Sequence, residues 1–182
     1  MRQDDPDAAD AARVVAGDLS AFEGIVRRWQ QRLLNMAWRF CRDRATAEDM
    51  AQEVFVKAYR SLAQFRGESA FSTWLTAIAV NTYRSRLRAE GLPLLSLDPA
   101  RTLAGKPGAL HDMEERQLAE ALRRAVLTLP ERYREAILVY YFEEKDLAEA
   151  ARVLAVAEGT LKARLHRGRE LLRRRWARME ER

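Results

Sequence analysis

The sequence predicts an all-α protein of two small helical domains joined by a flexible linker, and three observations lead there. The chain of 182 residues is 48% apolar and 32% charged, enough apolar matter for a core and too much for a wholly disordered chain. Apolar residues recur at the helical period through most of its length. Between about Gly91 and Leu110, Pro93, Pro99, Gly105, Pro107 and Gly108 break that period, so the helices fall into two groups. The expected division is an N-terminal arm over 1–17, a first helical domain over 18–90, a linker over 91–111 and a second helical domain over 112–178.

The arm carries Asp4, Asp5, Asp7 and Asp10 against Arg2, a disposition expected of a solvated or self-repelling segment. Ser20 followed by Glu23 has the capping-box pattern, and opens an amphipathic run through Phe22, Ile25, Val26, Trp29, Leu33, Met36, Ala37 and Phe40 that ends near Asp43. Thr46 with Asp49 resembles a second such start, for a helix reaching about Ala63. The segment Gln64 to Ser69 breaks the period, and a third helix follows from about Ala70 to Glu90. Beyond the linker, helices are expected at about Asp112 to Thr128, Pro130 to Phe142 with proline in the first turn, Asp146 to Leu154, and Glu158 to Trp176.

Charge is unevenly placed. The net charge is +5, but from Lys162 onward nine bases (Lys162, Arg164, Arg167, Arg169, Arg173, Arg174, Arg175, Arg178, Arg182) face three acids (Glu170, Glu180, Glu181), so this end seeks a polyanion. The single cysteine, Cys41, excludes an internal disulfide and a cysteine-based metal cluster. It suits a reducing cytosol, and reads as a small buried hydrophobe or, more remotely, a redox switch. There is no run of about 18 apolar residues and no charged start followed by an apolar stretch, so neither a membrane span nor a signal peptide is expected, and the protein is expected in the cytoplasm.

The short helix before Ala155 and Val156, and the longer basic helix after them, have the arrangement of a helix-turn-helix, whose second helix enters the major groove of DNA. At about 100° per residue, Leu161, Leu165, Gly168 and Leu172 share one face that packs inward. Lys162, His166, Arg169 and Arg173 lie beside it, with Arg164, Arg167 and Arg174 further round. Lys162 and His166, near the helix start, can reach base edges, whereas Arg164, Arg167 and Arg169 suit the backbone. A basic face can also be a merely solvated one, but the short helix and turn before it argue against that here. His166 makes a poor metal ligand, since the other histidine, His111, falls in or near the linker.

On the helix after Thr46, Ala51, Val54, Phe55, Ala58 and Leu62 form the inward stripe. Asp49 and Glu53 project from the opposite side, with Val56 beside them and Gln52 at the edge. Carboxylates at i and i+4 repel modestly, so a surface that keeps them either serves solubility or meets a basic partner. On the helix after Ala70, Trp74, Asn81, Arg84 and Arg88 fall along a strip flanking a core stripe of Phe71, Leu75 and Ile78. An aromatic face that stacks on unpaired bases and arginines that follow a backbone make the chemistry of single-strand binding. Phe65 and Arg66, in the loop before it, can edge a pocket for a base pulled from the duplex. Trp74 can equally be a core residue.

The motifs Asp49-Met50-Ala51-Gln52-Glu53-Val54-Phe55, Phe71-Ser72-Thr73-Trp74-Leu75, Ile78-Ala79-Val80-Asn81, Leu129-Pro130-Glu131-Arg132-Tyr133-Arg134-Glu135 and Gly159-Thr160-Leu161-Lys162-Ala163-Arg164-Leu165-His166-Arg167 together resemble the extracytoplasmic-function group of the sigma-70 family, over about Asp18 to Trp176. The resemblance implies sigma domain 2 as the first helical bundle and sigma domain 4 as the helix-turn-helix. It implies that Asp49, Gln52 and Glu53, with Val56, dock on core RNA polymerase, at the clamp helices of its largest catalytic subunit. It implies that Phe65, Arg66, Trp74, Asn81, Arg84 and Arg88 open and read the minus-ten element, while Thr160, Lys162, Ala163, Arg164, His166, Arg167 and Arg169 read the minus-thirty-five element. Partners implied are core polymerase, promoter DNA as duplex and as melted strand, and an anti-sigma factor. No bound cofactor, no metal and no enzymatic chemistry are expected.

The chain departs from the family pattern at Ala155, where glycine is common in the turn, at Ala157, where a serine cap is common, and at Val80 and Ser85 on the strand-reading helix. Two other readings compete. A helix-turn-helix regulator acting without being a polymerase subunit explains the last sixty or so residues but leaves the carboxylate patch and the aromatic strip without a task. An enzyme built on Glu143, Glu144 or His166 lacks a nucleophile and base pair.

Overall fold

The computed structural model describes residues 5–89, 121–143 and 145–180, and they form helices and turns without a strand. In chain order the helices are α1 (Pro6–Val15), α2 (Ala21–Cys41), α3 (Arg44–Ser61) with a 3-10 turn over Leu62–Gln64, and α4 (Phe71–Ala89). Then come α5 (residues 121–127), α6 (Glu131–Ile137) continuing into a π-helical turn over Leu138–Phe142, α7 (Leu147–Val153) and α8 (Glu158–Glu180). The expected linker, His111 and the first part of the helix expected from Asp112 lie outside the described residues.

The periodic stripes become the core. Ile25, Leu33, Met36 and Phe40 of α2 meet Met50, Val54 and Ala58 of α3 and Phe71, Leu75, Val80 and Tyr83 of α4, all 2% exposed or less. Each such side chain removed from water contributes roughly 1.5–3 kcal/mol. The Tyr83 hydroxyl, fully buried, donates to the Leu33 carbonyl at 3.0 Å, which satisfies the one polar atom this ring carries inside. In the second group, Leu161, Leu165 and Gly168 of α8 pack on α6, and a Cβ at Gly168 would stand 3.3 Å from the Ile137 side chain. The buried residues of both groups join in one cluster, because α7 packs against α4.

Three details correct the expectations. The Ser20–Glu23 capping box does not form: Ser20 is itself αR, its hydroxyl donates to Asp18, and Glu23 pairs with Arg27. The second cap is Asp43, whose carboxylate accepts from the Thr46 N–H at 2.9 Å, so Thr46 lies inside α3 rather than opening it. The N-terminal segment is not a solvated, self-repelling arm over its described part. Asp5 caps α1, Ala11 and Val14 are buried, Asp7 accepts from Arg28 and from the Trp29 indole, and Asp10 accepts from Arg28. Cations from α2 neutralise the acids whose mutual repulsion would otherwise keep the segment apart. Cys41 is half-buried, its thiol donating to the Asp43 carbonyl.

Candidate nucleic-acid and partner interfaces

The carboxylate face of α3 is free to be met. Ala47, Met50, Ala51, Val54 and Ala58 turn inward, and Phe55 packs edge-on against Phe22. Asp49 is 63% exposed at its side chain and Val56 48% exposed, with Gln52 exposed between them. Asp49 stands 3.8 Å from Arg86, and Glu53 pairs with Lys57 at 2.7 Å. Such exposed pairs hold about 0–1 kcal/mol each, so a cationic partner can displace them.

The strip expected along α4 is divided by the structure into parts. Phe65, Phe71 and Trp74 form a ring cluster with centroids 5.3–5.4 Å apart. Phe71 belongs wholly to the core, whereas Phe65 and Trp74 are half-buried and, with Arg66, line an open hollow of about 540 Å³. Gly67 turns the loop at φ 71°, in the left-handed region that glycine enters without a Cβ penalty. Asn81 is exposed in an adjoining groove of about 460 Å³ between α3 and α4, lined also by Lys57, Arg60, Ser61 and Gln64. Sequence reasoning passed over Lys57 and Arg60, although their spacing puts two cations close together at the end of α3, just before the loop.

Arg84 and Arg88 do not join that hollow. The Arg84 guanidinium is bidentate on Glu135 of α6, at 2.5 and 2.6 Å, and Arg88 pairs with Glu131 at 3.2 Å. The same face of the first helical group holds further groups of the second. Glu143, 3% exposed, accepts from Arg32 at 3.1 Å and from Arg39 at 3.0 Å. Burial pushes its carboxyl above the usual value against the pull of those guanidiniums. The buried Lys145 ammonium donates to the hydroxyls of Ser72 and Thr73, and burial pulls it below its usual value. Thr73 in turn donates to Glu149. Sequence periodicity carries no signal for these contacts, whose partners lie 43 to 111 residues apart.

In the helix-turn-helix, Asp146 caps α7 by accepting from the Glu149 N–H at 2.8 Å. The chain turns through Ala155 at φ 53° and enters α8. Leu161, Leu165 and Gly168 face inward as their spacing requires, while Leu172 is half-buried. Thr160, Lys162, Ala163, His166 and Arg167 are exposed, Arg164 and Arg169 half-exposed. Arg169 donates to the Tyr141 hydroxyl at 2.8 Å, which steadies one cation of this face. The exposed side of α8 from Thr160 to His166 therefore presents a hydroxyl, an ammonium and an imidazole, with guanidiniums alongside. Glu144 lies outside the described residues. Among those described, no group of three His, Cys, Asp or Glu side chains could hold a metal, and no helix is long and apolar enough to cross a membrane.

Comparison with known proteins bears on these surfaces. The family model for Sigma-70 region 2 matches residues 25–92, and that for Sigma-70, region 4 matches residues 119–172. The chain is 36% identical over 171 residues to the RNA polymerase sigma-H factor of Pseudomonas aeruginosa, covering 88% of each chain. It is 32% identical over 176 residues to the ECF RNA polymerase sigma factor SigW of Bacillus subtilis, covering 89% of this chain and 92% of that one. The solved structure of CnrH in complex with the cytosolic domain of CnrY shares the fold with a TM-score of 0.69 at 24% identity, over 95% of this chain and 98% of the other. The sigma factor RpoE of Bartonella quintana, solved with the anti-sigma factor NepR, aligns with a TM-score of 0.63 at 25% identity, over 84% of this chain and 94% of that one.

Proposed function

This chain belongs to the extracytoplasmic-function group of the sigma-70 family, and from that premise we propose how its surfaces divide the work. It is a sigma factor that binds core RNA polymerase and directs promoter-specific initiation of transcription. In our reading 18–90 and 112–178 act as two units, and the exposed face of Asp49, Gln52, Glu53 and Val56 docks on core polymerase. Phe65, Arg66, Trp74 and Asn81 hold unpaired bases of the minus-ten strand, with Arg84 and Arg88 on its backbone. Thr160, Lys162, Ala163, Arg164, His166, Arg167 and Arg169 read the minus-thirty-five duplex. The hollow beside Trp74 supports the second assignment, since an aromatic wall and a flanking guanidinium suit any base. The chain works in the cytoplasm, where polymerase is, and brings no covalent chemistry of its own. An anti-sigma factor is the expected regulator, since the similar sigma factor RpoE is solved in complex with the anti-sigma factor NepR.

The observation that carries the reading is the exposed acid and apolar face of Asp49, Gln52 and Val56 on α3. A regulator that only binds duplex DNA has no use for it. Run-off transcription tests the assignment: core polymerase is expected to start at a defined site only when the chain is added. Binding of the chain to DNA without any gain in initiation would favour the regulator.

A further inference from the structure

We propose that Tyr141, at the end of α6, and Arg169 of α8 together form a phosphate site for the backbone of the minus-thirty-five duplex, with the Tyr141 hydroxyl as a further DNA contact. The proposal rests on the assignment of Arg169 to that duplex. Tyr141 sits in the π-helical turn over Leu138–Phe142, and such turns are rare and recur at functional sites. It is 49% exposed, so it lies at the surface rather than sealed between α6 and α8. Its hydroxyl accepts from Arg169 Nε at 2.8 Å in a bond open to solvent, and the guanidinium carbon stands 5.6 Å from the ring centroid.

This bond leaves the anion-binding atoms of both groups free. With Nε engaged by the ring oxygen, the N–H groups of both terminal nitrogens of Arg169 remain to grip a phosphate. The Tyr141 oxygen accepts in the pair, so its own proton is available to donate to the same phosphate. Holding the long arginine side chain in advance also removes part of the ordering cost of binding. Position favours a phosphate over a base. Arg169 stands about 10 Å along α8 from Lys162, at ~1.5 Å per residue. With the start of α8 in a major groove about 12 Å wide, Arg169 and the end of α6 fall at the groove wall, where the backbone runs. Glu170, next in sequence, is turned to Arg167 and Arg174 rather than to Arg169. Arg173, one turn on, is exposed and adds to the positive field.

The test uses the full chain and a labelled duplex of about 24 base pairs of randomised sequence, read by anisotropy across a salt series, since backbone contacts hold on any sequence. Arg169→Ala is expected to weaken binding and to lower the slope of log affinity against log salt by about one. Tyr141→Phe keeps the ring and the charge but removes the hydroxyl, and is expected to weaken binding roughly five- to tenfold with the slope unchanged. On the Arg169→Ala background the same substitution is expected to cost less than about twofold, because both groups serve one phosphate. Tyr141→Phe within about twofold of the parent, beside a weakened Arg169→Ala, overturns the proposal and leaves the duplex assignment of Arg169 standing. The hydroxyl would then only tie α6 to α8, and its loss would move the urea midpoint instead. An equal loss on both backgrounds also overturns it, since the hydroxyl would act apart from Arg169. Unchanged binding and slope in Arg169→Ala remove the assignment of Arg169, and the proposal with it. Should Arg169→Ala lose helical content by circular dichroism, Arg169→Lys takes its place: it keeps the charge and the slope but lacks the Nε donor and the fork, so Tyr141→Phe is expected to cost as little on it.

Discussion

Reversing both carboxylates of the α3 face, Asp49→Lys with Glu53→Lys, is expected to abolish working assembly with core polymerase while leaving the fold in place. The cost to folding follows from the contacts. Asp49 loses a pairing with Arg86 at 3.8 Å and Glu53 one with Lys57 at 2.7 Å, on side chains 63% and 35% exposed. Each exposed pair contributes about 0.2–1 kcal/mol. The new lysine at 53 then stands one turn from Lys57, which adds a repulsion of about 0.3–0.5 kcal/mol. The sum, about 0.7–2.5 kcal/mol, is a minor part of a typical stability of about 5–15 kcal/mol. Docking loses more, because attraction becomes repulsion at two points. Truncating one buried interfacial charge partner costs about 2–5 kcal/mol, so the dissociation constant should rise by roughly 30-fold to several thousand-fold. Titration of labelled chain with core polymerase measures this, with far-ultraviolet circular dichroism as the check on folding. Assembly within about threefold of the parent by a folded variant would refute the docking face.

Other consequences are smaller and separately measurable. Ala155 sits at φ 53°, a conformation costing an L-residue about 1–2 kcal/mol, so Ala155→Gly is expected to raise the urea midpoint of the second domain by the equivalent of about 0.5–1 kcal/mol after glycine's greater unfolded entropy. Glu143 has its folded carboxyl raised above the ordinary 4.5 by burial, so the folded chain holds that proton more tightly than the unfolded one. Its contribution to stability is then full below about pH 4.5 and is lost as pH rises through the folded value, and Glu143→Gln should flatten that part of the stability profile measured by urea unfolding. A wild-type profile that climbs there without flattening in the variant would contradict this. Lys162→Ala, at an exposed position, is expected to leave the melting temperature unchanged. If Lys162 contacts a phosphate, the slope of duplex affinity with salt falls by about one; if it reads a base edge, sequence preference relaxes instead.

What could be read from the sequence was what repeats along a helix. The stripes of α2, α3 and α8 place Ile25, Leu33, Val54, Leu161 and Leu165 in the core where the period put them, because one helix geometry converts spacing into direction. Helix starts were legible to within a few residues but their caps were not. Ser20 and Asp43 both have capping chemistry, and only the backbone dihedral decides between them: Ser20 is αR, Asp43 extended at ψ 131°. The same limit governed the surfaces. A face whose function is to be exposed, such as that of Asp49 and Val56, needs no intramolecular partner and so was visible from one helix alone.

Arg84 and Arg88 show the converse. On α4 they look like free cations along a nucleic-acid strip, because a one-helix reading supplies no anion, yet the nearest carboxylates come from Glu135 and Glu131 on α6, beyond the expected linker. The acids of α1 likewise find their partners on α2, since Arg28 and Trp29 lie 18 to 22 residues away. Long side chains meet wherever the chain returns, and no period announces where that is. These pairings thus have a common cause, and Arg84 shows its chemistry. A guanidinium fork suited to a phosphate is equally suited to a carboxylate, so the features that mark Arg84 as a strand contact are those that let α6 cover it.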